Sequence, residues 1–234
     1  MLKTLLRDVQ QFLFPRYCWL CKRRLSVGEE HLCNDCMIRI PRTGYHLQPG
    51  NAMEQLFEGL YPVDRCSAYF YYHKEGVGSN LLYQIKYYNH PWVGEYLGRC
   101  MAQEIVATSD FFEDIDRIVP VPLHPKKKRL RGYNQCQYIS LGISQVTGIP
   151  IDEKLVYRTR FNETQTHKFR SQRQENVNAL FALNEDCSVH GKTILIVDDV
   201  CTTGATIGAV LDAFRHVSDI RFRILTLGLA SPLH

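Results

Sequence analysis

From residue 60 onward the chain alternates between short apolar stretches and longer stretches with apolar residues at helical spacing. Ser67 to Tyr72 is aromatic and strand-like. Asn80 to Tyr87 and Val93 to Ala107 read as helices. Arg117 to Pro122 contains Ile118-Val119-Pro120-Val121-Pro122, a short strand whose prolines mark its end. Asn134 to Val146 is helical by the spacing of Ile139, Leu141, Ile143 and Val146, and Gly148-Ile149-Pro150 closes it. Val156 and Tyr157 suit a strand, and Arg173 to Phe181 begins a helix or a loop. Thr193 to Val197 ends in four apolar residues, the pattern of a strand buried on both faces. A helix follows Gly204, with Ile207, Val210, Leu211 and Phe214 on one face, and Phe222 to Leu229 is the last strand. Strands alternating with helices predict an α/β fold, a parallel sheet flanked by helices on both faces.

The N-terminal part is patterned differently. Leu2, Leu5, Leu6, Val9, Phe12 and Leu13 fit one face of a short helix. Lys3, Arg7, Asp8, Gln10 and Gln11 interrupt it, so it lacks the uncharged core and small-residue cleavage site of a signal peptide. The helix is expected to pack on the protein and not on a membrane. Pro, Gly, Asn and Gln collect between Pro41 and Gly59, where apolar periodicity fades as in a linker. The expected division is an N-terminal helix and small module over residues 1–50 and one α/β domain over residues 60–234.

Composition then narrows the possibilities. A chain of 234 residues with 45% hydrophobic content can bury a sizeable core. The net charge of +4 permits an anionic ligand and does not by itself imply nucleic acid. No apolar stretch approaches the length that spans a bilayer, so no membrane insertion is expected. An odd number of cysteines, nine, without a signal peptide points to a reducing cytoplasm. Four of them form Cys18-Trp-Leu-Cys21 and Cys33-Asn-Asp-Cys36, two C-x-x-C knuckles separated by eleven residues. Each knuckle can chelate with two thiolates, and together they complete a closed tetrahedral four-cysteine shell for Zn²⁺. An iron–sulfur cluster or a redox pair are the alternatives, although no βαβ pattern surrounds either knuckle as a thioredoxin-like site requires. A four-thiolate shell leaves no open position for water, so its expected role is structural.

Candidate chemistry concentrates at residues 194 to 206. After the apolar run come Asp198 and Asp199, then Val200, Cys201 and the small, hydroxyl-rich turn Thr202-Thr203-Gly204-Ala205-Thr206. Ligands of open α/β sheets bind at the carboxyl ends of strands. A small-residue turn entering a helix exposes amides suited to a phosphate. Adjacent carboxylates suit vicinal sugar hydroxyls or a hydrated Mg²⁺. Phosphate, diol and metal in one loop describe a phosphorylated ribose. This block resembles the phosphoribosyl pyrophosphate (PRPP) signature of type I phosphoribosyltransferases. The resemblance implies that the two aspartates contact the ribose hydroxyls and that Thr202 to Thr206 wraps the 5′-phosphate. Thr202 stands where 6-oxopurine salvage enzymes carry an Asp that meets the base, which argues against that substrate class.

Two further segments carry charge. Lys126, Lys127, Lys128, Arg129 and Arg131 follow the Val119 strand, in what reads as a loop able to neutralise a diphosphate, or as a solvated basic turn or nucleic-acid patch. Residues 158–177 are polar and basic, and long loops of that kind are usually functional or disordered. In order along the chain stand the paired knuckles, Ile85-Lys86-Tyr87, Val119-Pro-Val-Pro122, Arg131-Gly-Tyr-Asn-Gln135, Thr164-Gln-Thr with Phe169, Arg173 with Asn176-Val177 and Phe181, and the aspartate block. Together these resemble the ComF family of competence-associated phosphoribosyltransferase-like proteins, over nearly the whole chain. His167-Lys168-Phe169 departs from the usual leucine-containing stretch.

The resemblance implies a zinc module on a type I phosphoribosyltransferase core, a cytoplasmic bacterial protein, and a role in natural transformation. The expected activity is Mg²⁺-dependent transfer of phosphoribosyl from PRPP to an acceptor that the sequence does not identify. Asp198 and Asp199 fix the ribose, residues 200–206 take the 5′-phosphate, and Lys127, Arg129 and Arg131 stabilise departing pyrophosphate. Gln165 and Arg173 arrive on loop closure. A rival reading is a non-catalytic protein that grips single-stranded DNA through Lys126 to Arg131, Arg158, Arg160, Lys168 and Arg170, with Tyr133 or Phe169 stacking on a base, among other competence proteins. A third is a PRPP-binding regulator.

Overall fold

The computed structural model describes residues 15–73, 76–87, 90–159, 180–184 and 189–230. The apolar run anticipated at 193–197 forms β5 (Thr193–Cys201), with β6 (Arg221–Ala230) on one side and β2 (Arg117–Pro120) on the other. β1 (Val63–Tyr72) closes the far edge, giving a parallel sheet of order β1-β6-β5-β2. Pro150 and Asp152 hydrogen-bond to Ile118 at 2.8 Å each and extend the β2 edge. The central strands are buried on both faces, which explains why β5 reads as a continuous apolar run and not as an alternating one.

Side-chain alternation along the strands builds two cores. Leu195, Val197, Leu225 and Leu227 face α3 (Val77–Tyr87), α4 (Pro91–Thr108) and α6 (Gln135–Thr147), through Leu81, Ile85, Leu97, Met101 and Ile139. Ile194, Ile196, Phe222 and Ile224 face α7 (Ala205–Asp212) and its continuation, through Ile207, Val210, Leu211 and Phe214. This is the expected parallel sheet with helices on both faces. Helices α4 and α6 approach so closely that only glycine fits at two crossings. A Cβ on Gly98 would stand 2.3 Å from the Ile139 carbonyl oxygen, and one on Gly142 2.0 Å from that of Glu95.

Three local expectations are corrected. Residues 41–59 are not a slack linker. A 3-10 turn (Tyr45–Leu47) and α2 (Ala52–Gln55) fold onto the sheet, Asn51 caps α2 and donates to the Cys66 carbonyl, and Met53 and Phe57 are buried. The basic stretch is not a loop but a short helix, α5 (Pro125–Arg131), started by His124, whose Nδ1 accepts from the Lys126 amide, and ended by Gly132 at a φ of 85°. Phe181 belongs to neither helix nor loop. β4 (Phe181–Leu183) pairs antiparallel with β3 (Val156–Arg158), apart from the main sheet. The expected helix within residues 1–13 lies outside the described residues.

Around the short helix α1 (Asn34–Ile38), the cysteine-bearing segment packs onto the body of the protein. Cys18, Leu25, Leu32, Cys33, Cys36 and Ile40 share one apolar core with Tyr69, Phe70, Tyr96 and Met101. Trp19 stacks on His31 at 4.1 Å, His31 meets the edge of Tyr96, and Arg99 pairs with Glu30.

A candidate phosphoribosyl site at the carboxyl end of the sheet

β5 outruns its apolar stretch and carries Asp198 and Asp199 in its last turns of pleat, both side chains buried. Successive residues of a strand point to opposite faces, so the two carboxylates do not sit side by side as the motif alone suggests. Asp198 lines a cleft shared with Val200, Cys201, Thr202, Thr203, Gly204, Ala205, Thr206 and Ile207. The cleft therefore gathers the expected 5′-phosphate residues in one place. Thr202, Thr203, Ala205 and Thr206 are exposed there, and the turn pivots on Gly204, whose φ of 76° suits glycine. The turn is braced from below, because a Cβ on Gly204 would meet the Phe57 ring at 3.0 Å.

Asp198 has few partners for a buried acid. Its Oδ1 accepts from the Cys136 thiol at 3.3 Å and from the Asp199 amide at 2.8 Å. Burial, reinforced by the neighbouring Asp199 charge, pushes its carboxyl up to about 7. Burial likewise holds the Cys136 thiol well above the ordinary thiol range, so Cys136 is a neutral donor and no nucleophile.

Asp199 lies in a different setting. Its Oδ2 accepts from Gln135 Nε2 at 2.7 Å and pairs with Lys86 Nζ at 3.1 Å. Gln135 in turn accepts through Oε1 from the Arg131 guanidinium, which also lies 5.9 Å over the Tyr87 ring. Arg131 is thus tied into the site, at one remove from Asp199. Lys127 and Arg129 are exposed on α5 and form no ion pair among the described residues. Gln165 and Arg173 lie outside the described residues, as do Arg160, Lys168, Phe169 and Arg170. Tyr133 is not available for stacking on a base, because its ring is buried and its hydroxyl donates to the Ile85 carbonyl. The exposed aromatic pair is instead Tyr83 and Tyr87, at 4.7 Å.

Sequence reasoning assigned no role to Lys86 or Gln135. Each lies inside a short motif already noted for its resemblance, Ile85-Lys86-Tyr87 and Arg131-Gly-Tyr-Asn-Gln135, and that was the available signal. The rest of the second motif is scaffolding. Tyr133 ties α6 to α3, and the Asn134 side chain caps α6 while donating to the Val121 carbonyl at 3.0 Å.

At the cysteine module the four Sγ atoms of Cys18, Cys21, Cys33 and Cys36 lie within 4.8 Å of one another, and those of Cys21 and Cys33 are 3.7 Å apart. Four thiolates at about 2.3 Å from a tetrahedral Zn²⁺ stand about 3.8 Å apart, so the cluster fits such an ion. Burial opposes ionisation of Cys33, but the Cys36 amide and the Arg23 guanidinium outweigh it and bring that thiol down to about 6. The four cysteines could hold a metal ion.

The chain is similar to several known proteins. Residues 145–227 match the family model described as phosphoribosyl transferase domain. Over 206 residues the chain is 29% identical to the DNA utilization protein YhgH of Salmonella typhimurium, covering 84% of this chain and 89% of that one, and the Escherichia coli K12 protein of the same name matches to the same extent. Competence protein F of Haemophilus influenzae is 25% identical over 205 residues, covering 86% and 79% of the two chains. Among solved structures, the glutamine PRPP amidotransferase of B. subtilis in complex with ADP and GMP aligns with a TM-score of 0.38 and 20% identity, over 58% of this chain and 26% of that one.

Sheet, helices and family match define a phosphoribosyltransferase-type α/β domain with a cysteine cluster near its N-terminus. The resemblance to the ComF family is borne out by these relatives, which extend over most of the chain. No helix among the described residues is long and apolar enough to cross a membrane.

Proposed function

We propose that this protein binds PRPP and transfers its phosphoribosyl group to an acceptor, in the cytoplasm, in connection with the use of incoming DNA. The observation that carries the reading is the cleft of Asp198 and residues 200–207 at the carboxyl end of β5, with Asp199 beside it. In this reading the amides and hydroxyls of Thr202 to Thr206 receive the 5′-phosphate at the start of α7. Asp199 accepts from a ribose hydroxyl, and Asp198 completes the carboxylate edge of the cleft. Lys127, Arg129 and Arg131 serve the diphosphate side, where negative charge grows as pyrophosphate leaves. A single carboxylate at the cleft suffices for Mg²⁺, which is commonly held by one or two carboxylates while phosphate and water supply its other ligands, and Asp198 is the one that lines the cleft. Bound with PRPP, the ion would neutralise the diphosphate as a leaving group. The four cysteines hold a structural Zn²⁺.

Calorimetry with PRPP and MgCl₂ tests the binding, and a pyrophosphate-release screen over nucleobases tests turnover. Absence of PRPP binding refutes the reading. Binding without release across the screen converts it to a PRPP-responsive regulator.

A second reading has one observation in its favour. Lys126 to Arg129 are exposed on α5, and the Tyr83–Tyr87 pair is exposed on the adjoining α3, where Arg131 reaches over Tyr87. Cations beside exposed aromatics suit single-stranded nucleic acid. Lys127→Ala/Arg129→Ala separates the two readings. Loss of single-stranded DNA binding with PRPP affinity unchanged favours the second, and loss of PRPP affinity with ribose 5-phosphate retained favours the first.

A further inference from the structure

Lys86 enters the site from the last turn of α3, and its position is fixed by its neighbour. The Ile85 carbonyl accepts from the buried Tyr133 hydroxyl, so α3 is tied to the start of α6 beside the carboxyl end of β5. From there the Lys86 ammonium reaches Asp199 Oδ2 at 3.1 Å, with the side chains 25% and 8% exposed. A charge pair this secluded gains little for the fold, because removing both ions from water costs about as much as their attraction returns. Nor does Asp199 need Lys86 as its hydrogen-bond donor. Gln135 already supplies one at 2.7 Å, with its amide turned the right way by Arg131. Both donors fall on Oδ2, and Oδ1 accepts from none of the described residues.

Resting on the phosphoribosyl reading above, we infer that Lys86 is a specificity-determining residue, a counter-ion that transfers from Asp199 to the anionic substituent on the anomeric carbon of the bound ribose. Asp199 then turns its free oxygen to a ribose hydroxyl while Gln135 keeps hold of the other. Arg131 acts through Gln135 as a positioning residue. A flexible ammonium with three donors suits such a transfer between two anions. Lys86 and Asp199 cancel each other's charge while paired, and a sugar phosphate lacking the anomeric anion gives Lys86 no new partner.

The experiment is calorimetry on the full chain with MgCl₂, using PRPP and ribose 5-phosphate as probes, on wild type, Lys86→Met, Lys86→Gln and Lys86→Arg. The expected result is a PRPP loss of about tenfold or more in the Met and Gln variants, with ribose 5-phosphate affinity changed less than about threefold. Lys86→Arg restores most of the PRPP affinity, which a purely structural role would not predict. Equal loss of both probes, or no loss of PRPP, overturns the inference while leaving the phosphoribosyl reading standing. If wild type binds neither probe, the phosphoribosyl reading fails and takes the inference with it. Thermal melting of each variant identifies misfolding, and Lys86→Gln, which keeps length and a donor without charge, decides the matter if Lys86→Met does not fold.

Discussion

Asp198 and Asp199 are adjacent in the chain and differently employed. In the phosphoribosyl reading Asp199 contacts a hydroxyl common to PRPP and ribose 5-phosphate, so Asp199→Asn should weaken both by roughly tenfold or more, the worth of about 1.5–3 kcal/mol for a charge-assisted hydrogen bond. Circular dichroism should show an intact fold, and unchanged affinity in calorimetry would refute the assignment. Asp198 makes a separate prediction through pH. Its folded carboxyl lies at about 7, raised by burial and by the Asp199 charge, whereas an unfolded aspartate titrates near about 3.9. The folded chain thus holds this proton more tightly than the unfolded chain. Stability from it is fully present below about pH 4 and is lost as pH rises through about 7. Asp198→Asn cannot ionise and should escape that loss. The variant should therefore melt higher relative to wild type at about pH 8 than at about pH 5, and a difference that stays flat across that interval would refute the account.

Helices bring the site together, and their crossings set how well. Gln135 opens α6, and α6 is placed by its glycine contact with α4. Gly142→Ala would put a methyl group 2.0 Å from the Glu95 carbonyl oxygen, which is backbone and cannot swing aside. The helices must separate, at a cost of about 1–3 kcal/mol for overpacking. A melting temperature lowered by roughly 2–4 °C for each kcal/mol is expected, and an unchanged melting curve would show that the crossing is looser than described. This scale also explains what could be read from the sequence. β5, its aspartates, the Thr202–Thr206 turn and the two cysteine knuckles are contiguous, so local pattern sufficed. Lys86 and Gln135 meet Asp199 only because α3, α6 and β5 converge, and a helical pattern specifies a buried face without naming what its ends will touch. The basic stretch read as a loop because its charges hide any apolar face, although Pro125 suits the first residue of a helix and Gly132 beyond it is the matching stop signal. Residues 41–59 lacked apolar periodicity because a capping asparagine and two anchors, Met53 and Phe57, hold them in place of a regular buried face.

At the scale of the whole molecule the cysteine module and the α/β body are not independent, because the module's apolar residues are part of the body's core. Cys18, Cys33 and Leu32 are buried in the same cluster as Phe70, Leu97 and Met101. Trp19, His31 and Tyr96 continue that contact through stacked and edge-on rings. A metal lost from the module would leave four thiols crowded within 4.8 Å, with Cys18 and Cys33 buried in the shared core. The module then has too few apolar residues of its own to stay folded, and its departure exposes the flank of α4. One equivalent of zinc should copurify with the protein, and Cys33→Ser should abolish it, as read by metal analysis. Iron or no metal in the purified chain would reject the zinc assignment. Removing the ion with a chelator should lower the melting temperature of the whole chain in a single transition, since the two parts share one core. Two separate transitions, with the upper one unmoved by chelation, would show that the module is an appendage and that the shared packing contributes little.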